Sequence, residues 1–146
     1  MDIFMKLFAR DLDKLIAEVN MYKRDGNLWR IAGDVKNSAG NLCLHIIGNL
    51  QHFIGAVIGE TGYIRDREAE FSTTAVSRDI LLSALLETKE IVIDSLQKLD
   101  RKKLQEIYPI DVFGEKMSYE FFMIHLIGHL NYHLGQINYI RRLTDI

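Results

Sequence analysis

The chain has 146 residues, an ordinary size for one domain, with 48% apolar and 26% charged residues, the balance of a globular protein. Its formal net charge is −2 and it holds a single cysteine, Cys43. These totals count against nucleic acid as a partner, which needs clustered Lys and Arg against its phosphates, and they exclude an intrachain disulfide or a cysteine-rich zinc site.

The first segment predicts an amphipathic helix. Ile3, Phe4, Leu7, Phe8, Leu12, Leu15, Ile16 and Val19 recur at threes and fours, while Lys6, Arg10, Asp13, Lys14 and Glu18 fill the other face. Asp25-Gly26-Asn27 breaks it. Asn37-Ser38 then offers an N-cap for a second helix running to about Ile58. That helix is nearly uncharged, as a helix buried on most sides must be, yet it carries Asn41, His45, Asn49 and His52. Gly59-Glu60-Thr61-Gly62 ends it. A long polar connection of about 18 residues follows, against the usual 2–8 in bundles, and contains Arg65-Asp66-Arg67-Glu68. This run can supply a guanidinium to a carboxylate-bearing substrate, or it is a solvated loop.

Ser77 is the expected cap of a third helix, which reaches about Leu99. A turn-rich stretch around Pro109 and Gly114 leaves room for a short hairpin between Lys103 and Lys116. Ser118 is the expected cap of a fourth helix ending near Arg142. Four long helices without alternating strands define an all-α four-helix bundle, one domain over residues 1–146. No run reaches the roughly 18 apolar residues of a membrane span. The N-terminal residues turn charged too early for a signal peptide, so no membrane and a cytoplasmic location are the expectation. The fourth helix is apolar beyond one face, with Phe121, Phe122, Ile124, Leu126, Ile127, Leu130, Leu134, Ile137 and Ile140. A second subunit is an expected cover, giving a homodimer.

The histidines carry the chemistry. His125, His129 and His133 sit four residues apart on the fourth helix, each step turning about 40° and rising about 6 Å, with Gln136 on the same stripe. On the second helix His45 and His52 are about 20° apart in direction, with Asn41 and Asn49 one turn to either side of His45. A polar line along an apolar helix is costly unless something satisfies it. A pair of histidines at i and i+4 on one helix and a third on another form a pattern that binds a divalent metal ion. Hydrogen-bonded core histidines are the plainer alternative. Three imidazoles leave a coordination position open and suit Zn²⁺, Ni²⁺ and Fe²⁺ alike. Cys43 points about 200° away from His45 and reads as a buried structural thiol.

The segment from His125 to Ile137, with two histidines four apart before Gly135-Gln136-Ile137, resembles the last-helix signature of the DinB-like family. The stretch Asn37 to His45 resembles the start of that family's second helix, and Trp29 stands where the family often has an aromatic residue. The Arg65-Asp66-Arg67 stretch is similar to one in the same subgroup. The resemblance implies a DinB-like four-helix bundle with His45, His129 and His133 as metal ligands. It places His52 and His125 as pocket groups able to move a proton and Gln136 beside the site, while Asn41 and Asn49, on the polar line of the second helix, are expected close enough to orient a ligand or a bound water. Leu134 departs from the pattern, since many relatives carry Arg there. Relatives include bacillithiol transferases and a mycothiol-dependent isomerase. The expected function is therefore a metal-dependent transfer of a low-molecular-weight thiol to a small electrophile. A metal-dependent hydrolase and a non-catalytic metal-binding dimer are the alternatives.

Overall fold

The computed structural model describes residues 2–146. Four long helices dominate: α1 over Asp2–Asn20, α2 over Ala39–Leu50, α4 over Arg78–Leu96 and α6 over Tyr119–Thr144. Two short α-helices lie in the connections, α3 over Arg67–Ser72 and α5 over Arg101–Leu104, and a 3₁₀ helix over Asp25–Trp29 precedes α2. The three expected serine caps are in place. Ser38, Ser77 and Ser118 each accept from the backbone N–H three residues on, at 3.1, 3.3 and 3.1 Å. Each such cap is worth about 1 kcal/mol, because it satisfies a donor that the first helical turn leaves unpaired.

Helix α2 does not run to its end in α geometry. It widens into a π-helical turn over Gln51–Ala56, where Val57 N–H reaches His52 C=O five residues back. The wider turn takes the residues from Gln51 onward, His52 among them, out of ideal α geometry. The break expected at Gly59 to Gly62 is real, with positive φ at Glu60 (57°) and Gly62 (76°). The long connection is not bare loop, since α3 folds inside it. The hairpin expected near Pro109 shrinks to one antiparallel bridge between Ile107 and Ser118, and no strand forms among the described residues.

Helix α1 packs against α4 and α6, and α2 packs against the same two. Helices α1 and α2 are therefore diagonal neighbours, with α6 touching both. The core runs down the axis through Phe8, Leu12 and Leu15 of α1, Ile46 and Leu50 of α2, Leu85 and Leu96 of α4, and Phe122 and Leu126 of α6. Each of these side chains contributes about 1.5–3 kcal/mol by leaving water. Trp29 fixes the start of α2. Its ring lies so close that a Cβ on Gly40 would be 2.7 Å from it, and its Nε1–H donates to Val76 C=O at 3.0 Å. No helix among the described residues is long and apolar enough to cross a membrane.

Candidate metal centre

The α2–α6 contact brings His45 to His129 and His133. His45 Nε2 lies 3.1 Å from His129 Nε2, which lies 3.1 Å from His133 Nε2. The three are the group of potential ligands that the described residues bring within 4.8 Å of one another. His45 is buried and the other two are half-buried.

The far side of two rings is anchored. His45 Nδ1 is 2.8 Å from Glu70 Oε2, and His133 Nδ1 is 2.7 Å from Gln136 Oε1. Both partners are acceptors, so both Nδ1 atoms carry the proton and both Nε2 atoms present lone pairs. A proton on His129 Nε2 can satisfy one of its two neighbours, never both. At least one Nε2 lone pair is then left at hydrogen-bond distance without a donor, which a cation at the centre would resolve. Ligands roughly 2.1 Å from a common ion at a tetrahedral angle stand about 3.4 Å apart, close to the spacing found. The residues present thus fit a divalent metal, and His45, His129 and His133 would hold it.

The electrostatics of His129 and His133 agree with neutral imidazoles. His129 is pushed down to about 3, first by burial and then by His133, His45, His125 and Arg65. Burial also lowers His133, partly offset by its bond to Gln136. Burial works to raise the Glu70 carboxyl. The bonds from His45 and Arg65 and the charge of Arg65 outweigh this, and the net shift is downward.

Glu70 was not singled out from the sequence. It sits on α3, in the connection read as polar loop, and is 5% exposed. Arg65 grips it twice, with Nε 2.7 Å from Oε1 and Nη2 3.0 Å from Oε2. Arg65 Nη2 also lies 3.3 Å from His45 Nδ1, because both donate to the same oxygen. The available signal was faint. Arg65-Asp66-Arg67 drew notice, Asp66 caps α3 through Ala69 N–H at 3.0 Å, and Glu70 follows one turn later.

Of the other residues expected at the site, Gln136 touches a histidine of the cluster. Asn41 acts at one remove: its amide donates to Glu70 C=O at 3.1 Å and to Thr73 C=O at 2.8 Å, and its oxygen accepts from Ser38 Oγ at 2.7 Å. It therefore ties down the segment that carries Glu70. Asn49 is buried and its Oδ1 has no partner among the described residues. His125 packs against Phe113 with ring centroids 4.7 Å apart and stacks 6.2 Å from the His129 ring. His52 stands edge-on to Phe53 at 4.8 Å and senses the cluster through the charges of Arg65 and Glu70. Cys43 is buried, with burial pushing its thiol up to about 12, so it stays protonated in the core.

A cavity of about 600 Å³ adjoins the cluster, with His133 and Gln136 on its wall beside Leu42, Tyr139, Ile140 and Leu143.

No curated protein matches the chain. A crystal structure of a DinB-like protein from Bacillus cereus ATCC 10987 superposes with a TM-score of 0.78 at 17% identity, over 98% of this chain and 91% of that one. The likeness at that identity is one of fold. The family model of the DinB superfamily matches residues 9–137, nearly the whole bundle and all three clustered histidines, and the chain belongs to that superfamily.

Proposed function

We propose that this protein is a metal-dependent transferase that binds a divalent ion on His45, His129 and His133 and transfers a low-molecular-weight thiol to a small electrophile in the cytoplasm. The observation that carries the metal reading is the convergence of three Nε2 atoms with too few protons to satisfy one another. A divalent cation in such a site supplies a lowered pKa to a bound thiol, and hence a nucleophile at neutral pH. Three protein ligands leave a position for that thiol. His125 stands beside His129, and burial lowers its proton affinity, so it is neutral near pH 7 and free to accept the thiol proton. His52 is lowered by burial and by Arg65, and is the second base within the electrostatic reach of the cluster.

The organic reactant has a place in the adjoining cavity, whose volume of about 600 Å³ suits a small molecule. Gln136 faces two ways there. Its oxygen is committed to His133, which leaves its NH₂ to donate to a bound molecule.

The test joins metal analysis of the purified protein with a screen of thiols against electrophiles such as epoxides and activated halides. Consumption of electrophile that requires metal, thiol and His129 is the expected result. Hydrolysis that proceeds without thiol favours the bound-water alternative instead.

A homodimer is the second reading, supported by an exposed apolar line on α6. Phe121, Ile124, Tyr132, Tyr139 and Leu143 are 55, 59, 65, 71 and 57% exposed along one side of the helix. A line of this length on a helix usually meets a partner. Light scattering that reports a monomer at micromolar concentration overturns it.

A further inference from the structure

Glu70 reaches the histidine cluster from outside the four long helices. Its carboxylate is buried in a notch that α2 leaves open. A Cβ on Gly48, one turn after His45, would lie 2.0 Å from Glu70 Oε1, so only glycine admits the carboxylate there. The backbone around Glu70 is fastened by Asn41, which holds the carbonyls of Glu70 and Thr73. A buried carboxylate paired with Arg65 could be a staple for the connection and nothing more. Its aim argues otherwise. Oε2 receives the ring nitrogen of His45 that faces away from the cluster, at 2.8 Å. Arg65 occupies both carboxylate oxygens, so the group presented to His45 is a fixed, ionised acceptor. His133 has only the neutral amide of Gln136 in the equivalent place. Among the described residues the three imidazoles are thus unequal, with a charged partner behind one alone.

Resting on the metal-centre reading, we propose that Glu70 is a positioning residue: locked by Arg65 into the notch at Gly48, it sets His45 with Nε2 toward the ion and couples ion binding to the docking of α3. Carboxylates behind ligating histidines fix the tautomer and raise the donor strength of the ring. The coupling runs in both directions by linkage, so an ion that favours the oriented His45 also favours the docked α3.

The test uses the full chain, Co²⁺ as a visible probe and Zn²⁺ as its competitor. Wild type is compared with Glu70→Gln, Glu70→Ala and Gly48→Ala, each checked for helicity by circular dichroism. Affinity, the visible Co²⁺ spectrum and amide exchange over residues 66–73 are the readouts. Glu70→Gln and Gly48→Ala should each bind roughly 10–100-fold more weakly, with a shifted Co²⁺ spectrum. Zn²⁺ should slow exchange over residues 66–73 in wild type and fail to do so in Glu70→Ala. Gly48→Ala guards against a mere loss of fold, since alanine is the better helix former and the helix itself gains from the change. Weaker binding together with an unchanged or higher melting temperature in that variant is the result a purely structural Glu70 does not give. Affinities within twofold of wild type and an unchanged Co²⁺ spectrum in both Glu70→Gln and Gly48→Ala overturn the proposal while leaving the metal centre standing. Wild-type protein that binds neither Co²⁺ nor Zn²⁺ overturns the metal reading, and this proposal with it.

Discussion

Helix α6 carries polar residues on two faces, and they end in opposite ways. Toward α1, Asn131 meets Asp11, a carboxylate with no solvent exposure. Both hydrogens of the Asn131 amide have a destination. The Asn131 amide gives one to Asp11 at 2.7 Å and one to Ile127 C=O at 2.9 Å, and Arg10 closes the other side of the carboxylate at 2.7 and 3.0 Å. Toward α2, His129 and His133 meet His45 with too few protons for the nitrogens present. A saturated polar cluster in a core is a clip that holds two helices in register. An unsaturated one is costly unless a further species completes it. The difference between the two faces is therefore a functional signal, independent of any likeness to other proteins.

The largest expected effect comes from removing the central imidazole. His129→Ala should lower Zn²⁺ affinity by on the order of a thousandfold, about 4 kcal/mol, because two remaining imidazoles hold an ion poorly. Isothermal titration measures it. In the same experiment His125→Ala should retain most of the affinity. Loss of metal in His125→Ala and its retention in His45→Ala would overturn the ligand assignment.

Acid separates the two faces next. His129 has its folded pKa depressed from 6.5 to about 3. Above pH 6.5 both folded and unfolded forms are neutral at this residue, and its contribution is flat. As pH falls, the unfolded form takes the proton and the folded form resists, so metal-free protein loses stability, by roughly 3 kcal/mol at pH 4. Asp11 is also depressed, since Arg10 and Asn131 outweigh its burial, but its contribution is present above the unfolded value of 3.8 and fades only below it. Urea melts of metal-free protein from pH 7 to 4 should therefore show a loss that His129→Gln reduces, the lowered His133, His125 and His52 supplying the rest, and that Asp11→Asn leaves in place.

Asp11→Ala should cost about 2 kcal/mol of stability, because it unpairs one Asn131 hydrogen and the Arg10 guanidinium. Zn²⁺ affinity should stay within twofold, since the clip lies on the far face of α6. A tenfold change in affinity would show that the two faces are coupled, and would blur the distinction drawn between them. The smallest effect expected is Asn49→Leu. Its orphaned oxygen is buried without a partner among the described residues, so melting temperature should hold or rise slightly. A marked fall would show that the oxygen is satisfied by a bound species.

Much of this molecule is visible in one dimension. Helical periodicity, serine caps and glycine breaks are local rules, and they located α1, α4 and α6 and the start of α2 within a few residues. His45, His129 and His133 stand out for the same reason. Polar residues at helical spacing on an apolar helix can be recognised without knowing what they face. The π-helical turn after Leu50 has no comparable signature. It lies where the chain beyond α2 packs on α4.

Residue spacing alone reveals which helix faces are polar and which residue types suit a metal. That Glu70 stands behind His45 follows from long-range packing and from nothing local. Its position depends on α3 folding back across α2, on Asn41 catching two carbonyls from that segment, and on Gly48 lacking a side chain where the carboxylate must enter. None of those conditions repeats along the chain with a period. A contact between residues 25 positions apart leaves no trace in the spacing of either one.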